Sequence, residues 1–151
     1  MKDQPDTAQE LRARALRLLA RRDHSRAELE RKLEPHAGSP EVVAGILEAL
    51  VQRKQLSDER YAEERARSLS RKYGAAKIRQ DLKARGVDQD VINRVSTEHE
   101  LERAVAILRR KFRAPAVSRE EHARRGRFLQ SRGFSYDVIK NALGLSSAET
   151  E

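Results

Sequence analysis

Cysteine and tryptophan are absent from this chain, and only seven glycines, four prolines and six aromatic residues interrupt it. Without cysteine there are no disulfides and no thiolate metal ligands, which fits a reducing compartment. No apolar run approaches the roughly 18 residues of a membrane span. The opening MKDQPDTAQE lacks the apolar core of a signal peptide. A cytoplasmic location is the expectation.

Catalytic signatures are equally scarce. His24, His36, His99 and His122 are scattered, and none forms an H-x-x-x-H pair beside a carboxylate. Neither a G-x-x-x-x-G-K-[ST] nor a G-x-G-x-x-G loop is present. Glu63-Glu64 and Glu120-Glu121 point to different sides of a helix and read as surface ion-pair partners. No catalytic residue, metal or cofactor is expected. Few aromatics also means that base stacking is not the main mode of any nucleic-acid contact.

What remains is helix. Hydrophobic content of 38% over 151 residues supports apolar stripes better than a thick core. Abundant Ala, Leu, Glu and Arg favour helix locally. Apolar residues recur at helical spacing in Leu11/Ala15/Leu18/Leu19, Leu29/Leu33, Val43/Ile46/Leu47/Leu50 and Ala62/Ala66/Leu69/Tyr73. The pattern continues in Ile78/Leu82, Val91/Ile92/Val95 and Leu101/Val105/Leu108/Phe112, with further helices near 118–132 and 135–143. Ser25 with Glu28, Thr97 with Glu100 and Ser118 with Glu121 have capping-box spacing, and Ser39-Pro40-Glu41 is a helix start. Leu56, just before Ser57, is placed to staple onto Tyr61.

One string occurs twice: LKARGVDQDVI at 82–92 and LQSRGFSYDVI at 129–139. Gly86 and Gly133 fall where a residue with positive φ stops a helix. Val87 and Phe134 supply the apolar contact, Asp88 and Ser135 start the next helix, and Val-Ile docks it. A looser copy runs from Leu33 through Gly38 to Val43. The fold class is therefore all-α, an elongated array of three tandem three-helix repeats. The expected domains are 1–56 including an N-terminal extension, 57–97 and 98–144, with a polar tail at 145–151.

Charge supplies the functional signal. The formal net charge is +8, which speaks of nucleic acid or an acidic protein surface as partner. Residues 103–132 hold ten Lys/Arg against Glu120 and Glu121, an excess equal to that of the whole chain. Residues 71–85 hold six against Asp81, while the first 56 residues are nearly balanced. The candidate contact residues are Lys72, Lys77, Arg79, Lys83, Arg85, Arg109, Arg110, Lys111, Arg113, Arg124, Arg125, Arg127 and Arg132. For Arg85, Arg132 and Arg109–Lys111, complementarity to a helix dipole offers a purely structural reason as well. Arg125 falls where the repeat calls for a core residue, and Gly126 beside it weakens a helix interior by about 1 kcal/mol.

The segments ALRLLARRDHSRAELERKL, LSDERYAEERARSLSRKYGAAKIRQDLKARGV and RRGRFLQSRGFSYDVIKNAL, in this order over residues 11–143, resemble the RecX family of recombination regulators. The matching positions are Ser25, Glu28 and Leu29; then Asp58, Glu59, Tyr61, Ala62, Gly74, Ile78, Leu82 and Gly86; then Arg127, Phe128, Leu129, Arg132, Gly133, Phe134 and Ile139. Arg125-Gly126 departs from the pattern, where the family more often carries larger, less charged residues. The resemblance implies a non-enzymatic, cofactor-free protein that binds the RecA recombinase filament on DNA. It also implies inhibition of ATP hydrolysis, strand exchange and the co-protease step of the SOS response, by occupying the filament groove and promoting disassembly or blocking extension. Single- and double-stranded DNA would be met through phosphates, by a monomer. The alternative is a stand-alone DNA-binding protein. The helices after the repeated turn offer it little beyond Asn93 and Asn141 for reading bases.

Overall fold

The computed structural model describes residues 4–148. Among these, nine α-helices follow one another with no strand: α1 Ala8–Arg21, α2 Arg26–Leu33, α3 Pro40–Gln52, α4 Asp58–Leu69, α5 Ala75–Ala84, α6 Gln89–Arg94, α7 Glu100–Lys111, α8 Arg119–Ser131 and α9 Tyr136–Ala148. A 3₁₀ turn at Glu34–His36 follows α2. Helix α9 extends past Leu143 into the segment expected as a tail. Residues 149–151 of that tail, and residues 1–3 of the opening segment, lie outside the described residues.

Most helix starts are set by local chemistry. Ser25 and Glu28 form the expected reciprocal box (Glu28 N to Ser25 Oγ 3.1 Å, Ser25 N to Glu28 Oε1 3.2 Å). Ser39 caps α3 ahead of Pro40. Thr7 and Glu10 make another full box at α1, from a T-x-x-E spacing not among the expected starts. At α8 the box is offset: Ser118 accepts from Glu121 N, but the Glu121 carboxylate receives the N–H of Val117.

The expected box of Thr97 with Glu100 does not form. His99 precedes α7 in the left-handed region at φ 60, with no side-chain cap. Glu100 instead accepts the N–H of Ala75, at 2.9 Å, from the first turn of α5. An unpaired amide at another helix's start is as good a donor as one in its own turn. The longer-range partner wins here.

Both copies of the repeated string stop their helices in the same way. Gly86 and Gly133 have φ of 81° and 91°. Val87 N bonds to Leu82 O and Gly86 N to Lys83 O. Phe134 N bonds to Leu129 O and Gly133 N to Gln130 O. These are paired Schellman stops, and Val87 and Phe134 are buried beside them. Gly38, in the looser copy, is not left-handed, because the 3₁₀ turn has already closed α2.

The chain forms two compact units. One comprises residues up to Glu64 with Leu82–Val95; the other comprises Arg65–Asp81 with residues from Ser96 onward. In the first, Leu11, Ala15, Leu29, Leu33, Val43, Leu47, Leu50 and Leu56 form the core between α1, α2 and α3. In the second, Ala104, Val105, Ile107, Leu108, Leu129, Phe134 and Ala142 form the core of α7, α8 and α9.

Each unit uses one docking device. In the first, the start of α2 is met by Asp58, which accepts Arg26 N at 2.7 Å, and by the Arg85 carbonyl, which accepts from Ser25 Oγ at 2.8 Å. In the second, the start of α5 is met by Glu100, as above, and by the Arg132 and Gly133 carbonyls, which accept from Gly74 N and Ala76 N at 2.7 and 3.2 Å. An acid and a glycine turn thus close the exposed N–H groups of a preceding helix, where its dipole favours negative charge.

Candidate functional site

Three helix ends meet in the second unit. The segment after α4, the last turn of α7 and the end of α8 bring together Arg71, Lys72, Tyr73, Ile107, Arg110, Lys111, Phe128, Ser131 and Arg132 around a groove of about 610 Å³. Five of these side chains are cationic and none is a carboxylate. None of the five pairs with an acid among the described residues.

Their positions follow from the chain ends they occupy. Just past the end of α4, the Arg71 and Lys72 carbonyls are met by cations from the other two ends. Arg110 Nη2 donates to Arg71 O at 2.7 Å, and Arg132 Nη1 reaches Lys72 O at 3.5 Å. The Arg132 guanidinium stands 5.5 Å from the Tyr73 ring centroid and 5.0 Å from that of Phe128. The Lys111 ammonium stands 5.8 Å from the same Phe128 ring. Phe128 meets Phe112 edge to face at 5.6 Å. The Tyr73 and Phe128 rings of the groove are thus engaged by cations.

Dipole complementarity explains part of this charge but not all of it. Each helix C-terminus carries a partial charge of about −0.5. Three such ends offset roughly 1.5 of the five positive charges, which leaves a surplus above three.

Of the thirteen residues singled out in the sequence, Lys72, Arg110, Lys111 and Arg132 line this groove. Lys77 belongs to the same unit, but it lies against Gly133 and lines a separate cleft with Arg65 and Asp81. Arg79, Arg109, Arg113, Arg124 and Arg127 belong to the second unit and lie outside the groove, and Lys83 is exposed in the first. Arg85 is half-buried in the first unit, 4.0 Å from Glu28, and its place is an internal network. Arg125 is only 8% exposed. It donates to Ala114 O and lies 4.8 Å from the Phe112 centroid, so it fills the core position that the repeat predicts and does not form an open contact surface. Its aliphatic stem packs while the guanidinium finds a carbonyl and a ring.

Sequence reasoning leaves out Arg71 and gives Tyr73 only a core role. The basic pair Arg71-Lys72 just past a helical stripe is the available signal. Nothing local says that α7 and α8 end beside it.

In the first unit, Glu28 is the strongest electrostatic feature. Burial pushes its carboxyl upward, but hydrogen bonds from Arg22 (2.9 and 3.3 Å) and the Ser25 amide outweigh this and hold it at about 2. His24 beside it is lowered by burial; Nδ1 lies 3.0 Å from Arg22 O and Nε2 lies 2.9 Å from Lys32 Nζ. That is a neutral imidazole donating through Nδ1 and accepting at Nε2. Among the described residues no cluster is able to hold a metal ion, and no helix is long and apolar enough to cross a membrane.

Tandem three-helix domains define a protein built from helical repeats. Family models described as the first, second and third three-helix domains of RecX match residues 12–50, 57–95 and 98–143. The chain belongs to the RecX family of regulatory proteins. It is 45% identical over 143 residues to "Regulatory protein RecX" of Leptothrix cholodnii, covering 92% of this chain and 90% of that one. It is 41% identical over 135 residues to the protein of that name from Neisseria meningitidis serogroup A, covering 88% of each. A crystal structure of RecX from Lactobacillus salivarius has the same fold, with a TM-score of 0.83 at 21% identity over 93% of this chain and 97% of that one.

Proposed function

We propose that this chain binds a RecA-type recombinase filament on DNA and restrains its activities: ATP hydrolysis, strand exchange and the co-protease step. The observation that carries this reading is the groove of Arg71, Lys72, Arg110, Lys111 and Arg132, free of carboxylates, in a chain of the RecX family. A surplus of fixed positive charge beside packed rings suits a phosphate backbone, single- or double-stranded, running in a protein groove. Occupying that groove blocks extension of the filament or promotes its disassembly. The chain acts as a cytoplasmic monomer and needs neither a cofactor nor catalysis of its own.

The test is single-strand-stimulated ATP hydrolysis by a recombinase filament, with this protein titrated well below DNA saturation. Inhibition at substoichiometric levels is expected, and K72E/K111E should abolish it. Undiminished hydrolysis, with binding to naked DNA retained, would instead mark a stand-alone DNA-binding protein.

A further inference from the structure

Arg103 stands on α7, one turn after Glu100, and does not line the basic groove. Its Nη1 lies 3.3 Å from Ser70 O and 3.2 Å from Tyr73 O, bridging the two ends of the segment that carries Arg71 and Lys72. Its Nε and Nη2 are buried without hydrogen-bond partners. Such donors cost stability, so an apolar residue of similar volume would serve the core better. The arginine is explained by what its one bonded nitrogen holds.

That segment is held from both sides. Besides Arg103, Glu100 takes Ala75 N, Arg110 donates to Arg71 O, and the Arg132 carbonyl takes Gly74 N. Every one of these partners comes from α7 or from the stop of α8. The two other guanidinium contacts to this segment's carbonyls, Arg110 to Arg71 O and Arg132 to Lys72 O, come from groove cations, so a bound anion competes with those carbonyls for their N–H groups. Arg103 faces no such competition.

We infer that Arg103 is a positioning residue, fixing residues 70–73 so that Arg71 and Lys72 face the groove whether or not an anion occupies it. The inference rests on the groove being the anion-binding site. Cations held in place meet two phosphates together, whereas cations on a loose segment meet them one at a time, at a cost in ordering. Arg103 touches no ligand.

The test is binding to a fluorescent single-stranded oligonucleotide by anisotropy, across a salt series, for wild type, R103M and R71A/K72A. Each phosphate contact to a single strand contributes about 0.7 to the slope of log K against log salt. R71A/K72A should flatten the slope by about 1.4, from two lost contacts. R103M should flatten it by nearly as much and weaken binding roughly tenfold at low salt, with helix content unchanged. R103K, which keeps a donor, should recover part of both. An R103M protein that melts earlier but keeps the wild-type slope would overturn the inference and leave Arg103 a residue of the fold alone. An unchanged slope in R71A/K72A would instead overturn the groove reading. R103Q is measured if R103M does not fold; failure of both to reach native helix content also overturns the inference.

Discussion

Gly133 sits so close to Lys77 that a Cβ built on it would lie 2.6 Å from the Lys77 backbone nitrogen. Its φ of 91° already disfavours a side chain, and the neighbouring backbone removes any room for one. Gly86 is in the same position against Ala27, whose Cβ would be 2.3 Å away. The repeated string is therefore more than punctuation within one helix pair. Its glycine is the point at which the turn seats on the start of a preceding helix.

G133A and G86A should each destabilise the fold by about 2–4 kcal/mol, combining left-handed strain with a steric clash. Urea denaturation measures this directly. Gly45 provides the contrast, because it lies within α3 and a methyl group added there would meet nothing within 4 Å. G45A should stabilise by about 0.5–1 kcal/mol. Similar losses at all three sites would contradict the docking role of the turn.

The helices and their stops are legible in the sequence because their causes are local. Ser25 finds Glu28 three residues on, and Gly86 and Gly133 announce their own backbone. Glu100 misleads because its capping-box spacing with Thr97 is also local, while its actual partner Ala75 is 25 residues away. The groove is half legible. Lys72, Arg110, Lys111 and Arg132 stand out by charge, but their convergence depends on three helices ending at one place. Arg125 shows the reverse case. Its type suggests a surface and its place in the repeat suggests a core, and place prevails.

Acid should weaken the first unit in two stages. His24 is lowered in the fold, so the unfolded chain takes up its proton first, and stability falls as pH drops below about 6.5. Glu28 is lowered from 4.5 to about 2, so its contribution is full above 4.5 and is lost as pH falls towards 2. Asp58, raised by burial and by Asp88 against the opposing Arg26 amide, runs the other way and favours the fold slightly as it protonates. E28Q should lower stability by about 2 kcal/mol at pH 7 and by almost nothing near pH 2. H24Q should remove only the higher stage. Denaturation midpoints at pH 7, 5.5, 4 and 2.5 separate them.

Arg125 and the groove lysines should separate stability from binding. R125A leaves a gap beside Phe112 and frees the Ala114 carbonyl, so it should cost about 1–3 kcal/mol in thermal or urea unfolding. The exposed Lys72 and Lys111 hold no backbone group; K72E/K111E reverses charge near helix C-termini and removes the Lys111 contact with Phe128, and should cost no more than about 1 kcal/mol. That pair should nevertheless weaken binding to DNA and to the filament by tenfold or more. Reversing Arg12 and Arg17, in the nearly balanced first unit, should weaken it far less. Equal losses from the two pairs would remove the groove from consideration as the main contact.

The pairing of Glu100 with Ala75 predicts an inversion of what the capping-box spacing suggests. Thr97 makes no side-chain hydrogen bond with the start of α7, so T97A should cost less than about 0.5 kcal/mol. E100A strips a carboxylate from the first amide of α5, where both the hydrogen bond and the helix dipole favour it, and should cost about 1–2 kcal/mol. E100Q keeps an acceptor oxygen but loses the charge, so it should fall between the two. The damage should also appear in a particular place. Amide exchange at Ala75 and its neighbours should accelerate in E100A, while the first turn of α7 keeps its wild-type protection. Faster exchange confined to α7 would mean that the carboxylate serves its own helix after all.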